Sequence, residues 1–231
     1  MTTYNRLAIF YAPASKSPLA QFGSKWLGWD VEKASNAKHP DIQSLPAPIS
    51  EIVATPQKYG FHGTLKAPFK LNPTKSCDEL RTALQTFCKN TPKFTIGKMK
   101  VAQLGNFVAI IQKNQSMELR NLAATIVEHF EEFRAPLSES DIAKRRRANL
   151  TQRQDELMLR WGYPYVFEEF KFHLTLTGRL DENDAETTKN ILSEHLSDIL
   201  SKPLKADDIC LYGERNDGKF EIIERFPLCS E

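Results

Sequence analysis

One short stretch occurs twice in this chain, and it limits the fold more than any other feature. Tyr59-Gly60-Phe61-His62-Gly63-Thr64-Leu65 is echoed by Phe170-Lys171-Phe172-His173-Leu174-Thr175-Leu176, so the two histidines lie 111 residues apart in a chain of 231. Side chains of an extended strand alternate faces with period two. His62 and Thr64 are therefore expected on one face of a strand, with Phe61, Gly63 and Leu65 on the other. The second copy reads the same way, with His173, Thr175 and Thr177 opposite Phe172, Leu174 and Leu176. A lone His-x-Thr arises readily by chance. Two copies in matching apolar frames, about half a chain apart, imply two related halves that each present an imidazole and a hydroxyl from a strand. The copies differ between His and Thr, Gly63 against Leu174, an asymmetry expected to bear on the grip on substrate.

The remaining elements fit around that repeat. Leu7 to Tyr11, closed by Pro13, is a short bulky apolar run and reads as a buried strand. Leu19, Phe22, Trp26 and Trp29 recur at three or four residues, one face of a helix from Ser17 to about Val31. Residues 33 to 58 carry Pro40, Pro46, Pro48 and Pro56 and read as a long loop delivered to the first motif. After the motif, Pro68 and Pro73 are expected to break the strand. Ser76-Cys77-Asp78-Glu79 has the form of a capping box, opening a helix with Leu80, Leu84, Phe87 and Cys88 inward.

Phe94 to Val101 and Asn106 to Gln112 read as a hairpin around Leu104-Gly105, and Glu118 to Phe133 as an amphipathic helix. Ser138 to Trp161 is polar and helix-compatible, and holds Lys144-Arg145-Arg146-Arg147, Arg153 and Arg160. A solvated helix face is the expectation for this basic run, with a phosphate-binding patch as the alternative. The aromatic turn Trp161 to Val166 is either a stacking platform or a packing corner. Ala185 to Leu200 is a further helix, and Asp208 to Tyr212 with Phe220 to Phe226 a second hairpin. His129 and His195 lie beside apolar stripes and are expected to be structural.

Each motif strand is thus followed by one helix and one hairpin. That order predicts an α+β chain of two antiparallel sheet-plus-helix lobes, related by a pseudo-twofold axis around a central cleft. The expected unit is a single bilobal domain over 1–231, with a first motif half at about 1–114 and a second at about 115–231.

Charge sets limits on partners. With 31 basic against 29 acidic residues the net charge is +2, so no global field draws in nucleic acid, and phosphate recognition must be local. Cys77, Cys88, Cys210 and Cys229 form no Cys-x-x-Cys pair and no zinc-ligand spacing, which fits reduced thiols. The apolar run near the N-terminus is too short for a signal-peptide core, and nowhere do 18 apolar residues run together. The expectation is a cytoplasmic protein with no membrane contact and no obligate protein partner.

Two imidazoles facing each other suit acid–base chemistry. A histidine titrates near pH 6.5, so one ring can serve as base while the other serves as acid. Threonine hydroxyls donate hydrogen bonds to phosphoryl oxygens. His62 and His173 as catalytic groups, with Thr64 and Thr175 holding phosphate, match hydrolysis of a phosphodiester, a cyclic one above all. No third metal ligand accompanies either motif, no Gly-x-Ser-x-Gly elbow is present, and the glycine patterns of phosphate and dinucleotide loops are absent. Neither metal nor cofactor is expected. By position, Lys66 and Arg179 just past the motifs, and Tyr11, Tyr59 and Tyr163, are candidate substrate contacts.

The doubled Phe-His-x-Thr-Leu resembles the signature of the 2H phosphoesterase superfamily, which includes RNA 2′,5′-ligase and 2′,3′-cyclic phosphodiesterase enzymes. More narrowly, Tyr59 to Phe69, Trp161 to Phe167 and Phe172 to Leu180, with Ala8 to Pro13 and Phe22 to Gly28, resemble the subfamily DUF1045, associated with phosphonate metabolism. The resemblance implies a bilobal 2H phosphoesterase-like fold, catalytic His62 and His173, phosphate-binding Thr64 and Thr175, and no cofactor. The substrate it implies is a small cyclic phosphate or nucleotide-like molecule, such as a ribose cyclic phosphate. RNA ends bearing a 2′,3′-cyclic phosphate, or nucleotide binding without turnover, are the alternatives.

Overall fold

A computed structural model describes residues 4–229. Its main feature is one antiparallel sheet of seven strands: β1 (Leu7–Tyr11), β4 (Gly63–Phe69), β6 (Met99–Leu104), β7 (Phe107–Gln112), β8 (His173–Thr175), β10 (Asp208–Glu214) and β11 (Phe220–Pro227). Across the sheet they run in the order β11-β10-β1-β4-β8-β7-β6. Two small pairs flank it: β2 (Trp29–Asp30) with β3 (Ser35–Asn36), and β5 (Phe94–Gly97) with β9 (Leu204–Ala206). The helices are α1 (Pro18–Leu27), α2 (Ile49–Ile52), α3 (Cys77–Lys89), α4 (Met117–His129), α5 (Glu139–Arg146), α6 (Gln152–Trp161) and α7 (Glu182–His195).

β1 is buried along its whole length and divides its side chains between two cores. Leu7, Ile9 and Tyr11 join the main core with residues of α1, α3, α4 and α7, while Ala8, Phe10 and Ala12 face a smaller one with Trp29, Cys210, Tyr212 and Phe220. The period-two rule thus assigns each β1 residue to a face.

The repeat of strand, helix and hairpin holds, and the sheet falls into two groups that meet at the motif strands. The hairpins, however, are exchanged. β6 and β7 follow β4 in sequence yet β7 pairs with β8, whereas β10 and β11 follow β8 yet β10 pairs with β1 on the β4 side.

Local details depart from the sequence reading. Residues 33 to 58 are not featureless, since they hold β3, α2 and a 3-10 turn at Gln57–Tyr59. Pro68 lies inside β4 and does not end it. Phe94 to Val101 is two strands, because the chain turns at Gly97, whose φ of +111° disfavours other residues. The capping box at Ser76 and Glu79 forms as expected. Two further boxes, Ser138 with Asp141 and Thr151 with Gln154, split the polar stretch into α5 and α6. The four cysteines are free thiols. No helix among the described residues is long and apolar enough to cross a membrane.

Candidate active site

β4 and β8 touch at the centre of the sheet through one registered pair, Gly63 opposite Leu174. A Cβ on Gly63 would stand 2.4 Å from the Phe172 ring and 3.3 Å from Leu174. Glycine in the first copy therefore makes room for leucine in the second. What looked from the sequence like an asymmetry in substrate grip is a packing requirement across the twofold. The same register brings Thr64 beside His173, and both line a cavity of about 560 Å³ with Phe107, Tyr163 and Phe170.

His62 sits just before β4, on the face carrying Phe10. Its ring stacks on Phe10 with centroids 4.0 Å apart at 23°, and the rings of Tyr59 and Tyr212 lie 6.0 Å and 6.2 Å away. Nδ1 is 2.8 Å from the Gly60 carbonyl. A carbonyl only accepts, so Nδ1 carries the proton and Nε2 keeps its lone pair, 3.4 Å from the Thr64 hydroxyl. Gly60 aims that carbonyl with φ +67°, and a side chain there would collide with Val31.

His173 repeats the device. Its Nδ1 is 2.7 Å from the Lys171 carbonyl, again two residues earlier, and Phe107 lies 5.8 Å from its ring. Both histidines thus hold one tautomer and offer Nε2 outward. Burial pulls His62 down to about 4, the Gly60 bond works against this, and the charge of His173 adds to it. Burial also lowers His173, opposed by its bond to Lys171. Both rings are neutral near pH 7, and a proton on His173 disfavours one on His62.

The other expected site residues divide. Thr175 is half-buried on the same strand as His173. Tyr59 is beside the site, its ring 5.2 Å from Phe220 and 6.0 Å from His62. Tyr163 lines the cavity and stands edge-on to Tyr165 at 5.4 Å, its hydroxyl pushed up to about 12, chiefly by burial. Arg179 is exposed past the end of β8.

Two candidate contacts are corrected. Tyr11 belongs to the main core, 3% exposed and edge-on to Phe172, because the alternation of β1 points it away from the face carrying Phe10. Lys66 is 3% exposed and bonds the Val127 carbonyl and Glu131, each at 2.9 Å, at the end of α4. Strict alternation would place it with His62 and Thr64. Instead the β1–β4 register shifts between Phe10↔Thr64 and Ile9↔Lys66, a bulge that turns Lys66 toward the helix side. Thr177 also leaves the expected face: β8 ends at Thr175, and the Thr177 hydroxyl is buried, accepting from the Val108 amide at 2.9 Å.

His129 and His195 are exposed on their helices, against Phe87 and Phe22, and lie outside the site. In the basic run Arg146 pairs with Asp155 and Arg153 with Glu156 and Glu168, while Lys144, Arg147 and Arg160 are exposed. Sequence reasoning missed Phe10 and the carbonyls of Gly60 and Lys171. The repeated i−2 spacing was present in both copies, but backbone direction there depends on tertiary packing.

Two central strands that each carry a His-x-Thr, side by side in one antiparallel sheet, define an α+β protein built around a doubled His-x-Thr. The chain belongs to the family described as "Protein of unknown function (DUF1045)", which matches residues 64–221. It is 35% identical over 232 residues to the ribose 1,5-bisphosphate phosphokinase PhnN of Janthinobacterium sp. (strain Marseille), covering 98% of this chain and 51% of that protein. It is 32% identical over 224 residues to the protein of the same name from Laribacter hongkongensis (strain HLHK9), covering 97% and 50%. The chain therefore spans about half the length of the curated relatives it matches. Solved structures with a related outline include E. coli LigT complexed with 3′-AMP, at 16% identity, TM-score 0.44 and coverage of 99% and 100%. TT0787 of Thermus thermophilus is similar at 14% identity, TM-score 0.44 and coverage of 98% and 99%. Overlaps this loose transfer neither substrate nor activity.

Proposed function

We propose that this chain is a phosphoesterase that opens a small cyclic phosphodiester by two-histidine acid–base catalysis. The observation that carries the reading is the duplicated lock. Each histidine gives Nδ1–H to the carbonyl two residues back and presents Nε2, with threonine hydroxyls alongside, where the two strands meet. His62, half-buried against Phe10 and held down at about 4, is the base. His173 is the acid, and binding an anionic phosphate beside it favours its protonated form.

In the step proposed, Nε2 of His62 takes a proton from water as the water oxygen bonds to phosphorus. One P–O ester bond breaks, and His173 passes its proton to the departing oxygen. The product is a ring-opened phosphate monoester with a free hydroxyl. Thr64 and Thr175 donate to the non-bridging oxygens, where charge builds in the transition state.

The curated relatives are named for ribose 1,5-bisphosphate, which makes a ribose cyclic phosphate, in the setting of phosphonate metabolism, the first substrate to test. The kinase activity in that name is not carried over, since this chain has no Gly-x-x-x-x-Gly-Lys-Ser/Thr loop. His62→Asn and His173→Asn should each lower kcat by about 10²–10⁴-fold on cyclic phosphates followed by phosphorus NMR, with circular dichroism unchanged. Full activity in either variant refutes the reading.

A further inference from the structure

Beside the histidine cavity lies a second, basic pocket. It shares Tyr163 and Val166 with that cavity and is lined by Arg6, Lys66, Lys70, Arg134 and Arg145 against one carboxylate, Asp141. Three of these five cations are already matched, and Lys70 is exposed to solvent. Arg6 forks onto Glu214 with both bonds at 2.6 Å, and Lys66 and Arg134 share Glu131. Asp141 is held by the Ser138 hydroxyl at 2.6 Å.

Arg145 stands apart. It is half-buried, and its guanidinium lies 5.6 Å from the centre of the Tyr163 ring with no hydrogen-bond or ion-pair partner among the described residues. Elsewhere in the basic run Arg146 and Arg153 each have a carboxylate, and Lys144, Arg147 and Arg160 are exposed to water. Burial works against the charged form of Arg145, the charges of Arg6 and Arg134 add to this, and Tyr163 and Asp141 oppose it. A cation held this way is stabilised by an anion that arrives from outside. The pocket's volume of about 50 Å³ is room for roughly four waters, which suits one phosphoryl group. Guanidinium also matches phosphate with paired donors.

We propose that this pocket is a second anion subsite, where Arg145 beside Tyr163 grips a terminal phosphate monoester of the molecule whose cyclic phosphodiester lies between His62 and His173. The substrate class is then a small sugar bearing two phosphoryl groups, one cyclic and one terminal. The cyclic half of that statement rests on the proposed phosphoesterase reading; the terminal half does not.

The test has two arms. In the first, turnover of a ribose cyclic phosphate is compared with and without a 5-phosphate. The wild type should favour the 5-phosphorylated probe in kcat/KM, and Arg145→Gln should shrink that preference by about tenfold to a hundredfold. Arg145→Lys, which keeps the charge and loses the fork, should fall between. Arg153→Gln, an exposed position already paired with carboxylates, should leave the preference intact. In the second arm, calorimetry measures ribose 5-phosphate binding to wild type and Arg145→Gln, both checked by thermal melting, and the variant should bind at least tenfold more weakly. Equal binding by the two proteins, or no binding to either, overturns the subsite. So does a wild type that treats both cyclic probes alike. The binding arm needs no turnover. If neither cyclic probe is opened while Arg145→Gln still loses ribose 5-phosphate, the phosphoesterase reading falls and the subsite stands.

Discussion

Replacing His62 by Asn should remove most of the acid sensitivity that this ring confers on the fold. Asparagine can still donate to the Gly60 carbonyl, so the lock is kept and only the titration is lost. In the folded chain His62 is held at about 4, against roughly 6.5 when unfolded. The folded state therefore binds fewer protons than the unfolded state between those values, and stability must fall as pH falls. The full difference is about 3.4 kcal/mol at 1.36 kcal/mol per tenfold change in proton affinity. Integrating the linkage from pH 7.5 to 5.0 gives about 2 kcal/mol of that loss. Urea unfolding at both pH values measures it directly. Wild type should lose about 2 kcal/mol more than His62→Asn over this interval, roughly 0.7–1 M in urea midpoint for an m-value of about 2–3 kcal/mol/M. The carboxylates titrate in both proteins and cancel in the difference, and the difference reads His62 together with its repulsion from His173. Parallel pH dependences for the two proteins would show that His62 is not desolvated as the Phe10 stack requires.

Two further substitutions examine the frame. Gly63→Ala forces a methyl to within 2.4 Å of Phe172 and should cost about 1–3 kcal/mol by overpacking; a lowered Tm partly restored by adding Phe172→Leu is the expected result, and no change in Tm counts against the close strand crossing. Glu131→Gln leaves the buried Lys66 ammonium without its ion-pair partner and should cost about 3 kcal/mol, whereas Lys66→Met should cost less. Chemical denaturation of both variants decides the order, and the reverse order would place Lys66 in solvent.

Much of the frame was legible because it rests on periodicity. The β1 run, the capping box ahead of α3 and the β6–β7 and β10–β11 hairpins follow from apolar spacing and turn residues, which act over a few positions. The histidine pair was legible for the same reason, as a local motif met twice. Lys66 was misplaced because a bulge depends on how β1 pairs with β4, which no local window contains. Tyr11 needed knowledge of which face of β1 meets the helices. Arg145 lay hidden in a run whose other members are solvated or ion-paired, and only packing against Tyr163 separates it from them. Detail of this kind sits at the long-range level, where a single chain offers little pattern to read.

The exchanged hairpins explain how the two motif strands are held side by side. β4 and β8 share one registered pair, so there is little ladder between the motif strands themselves. Their positions are fixed from outside instead. β4 is braced by β1 and through it by β10 and β11 from the second half of the chain, and β8 by β7 and β6 from the first. Each motif strand beside the cavity lined by Thr64 and His173 is thus held by the other half of the chain, so a displacement of either hairpin would be felt at the opposite histidine.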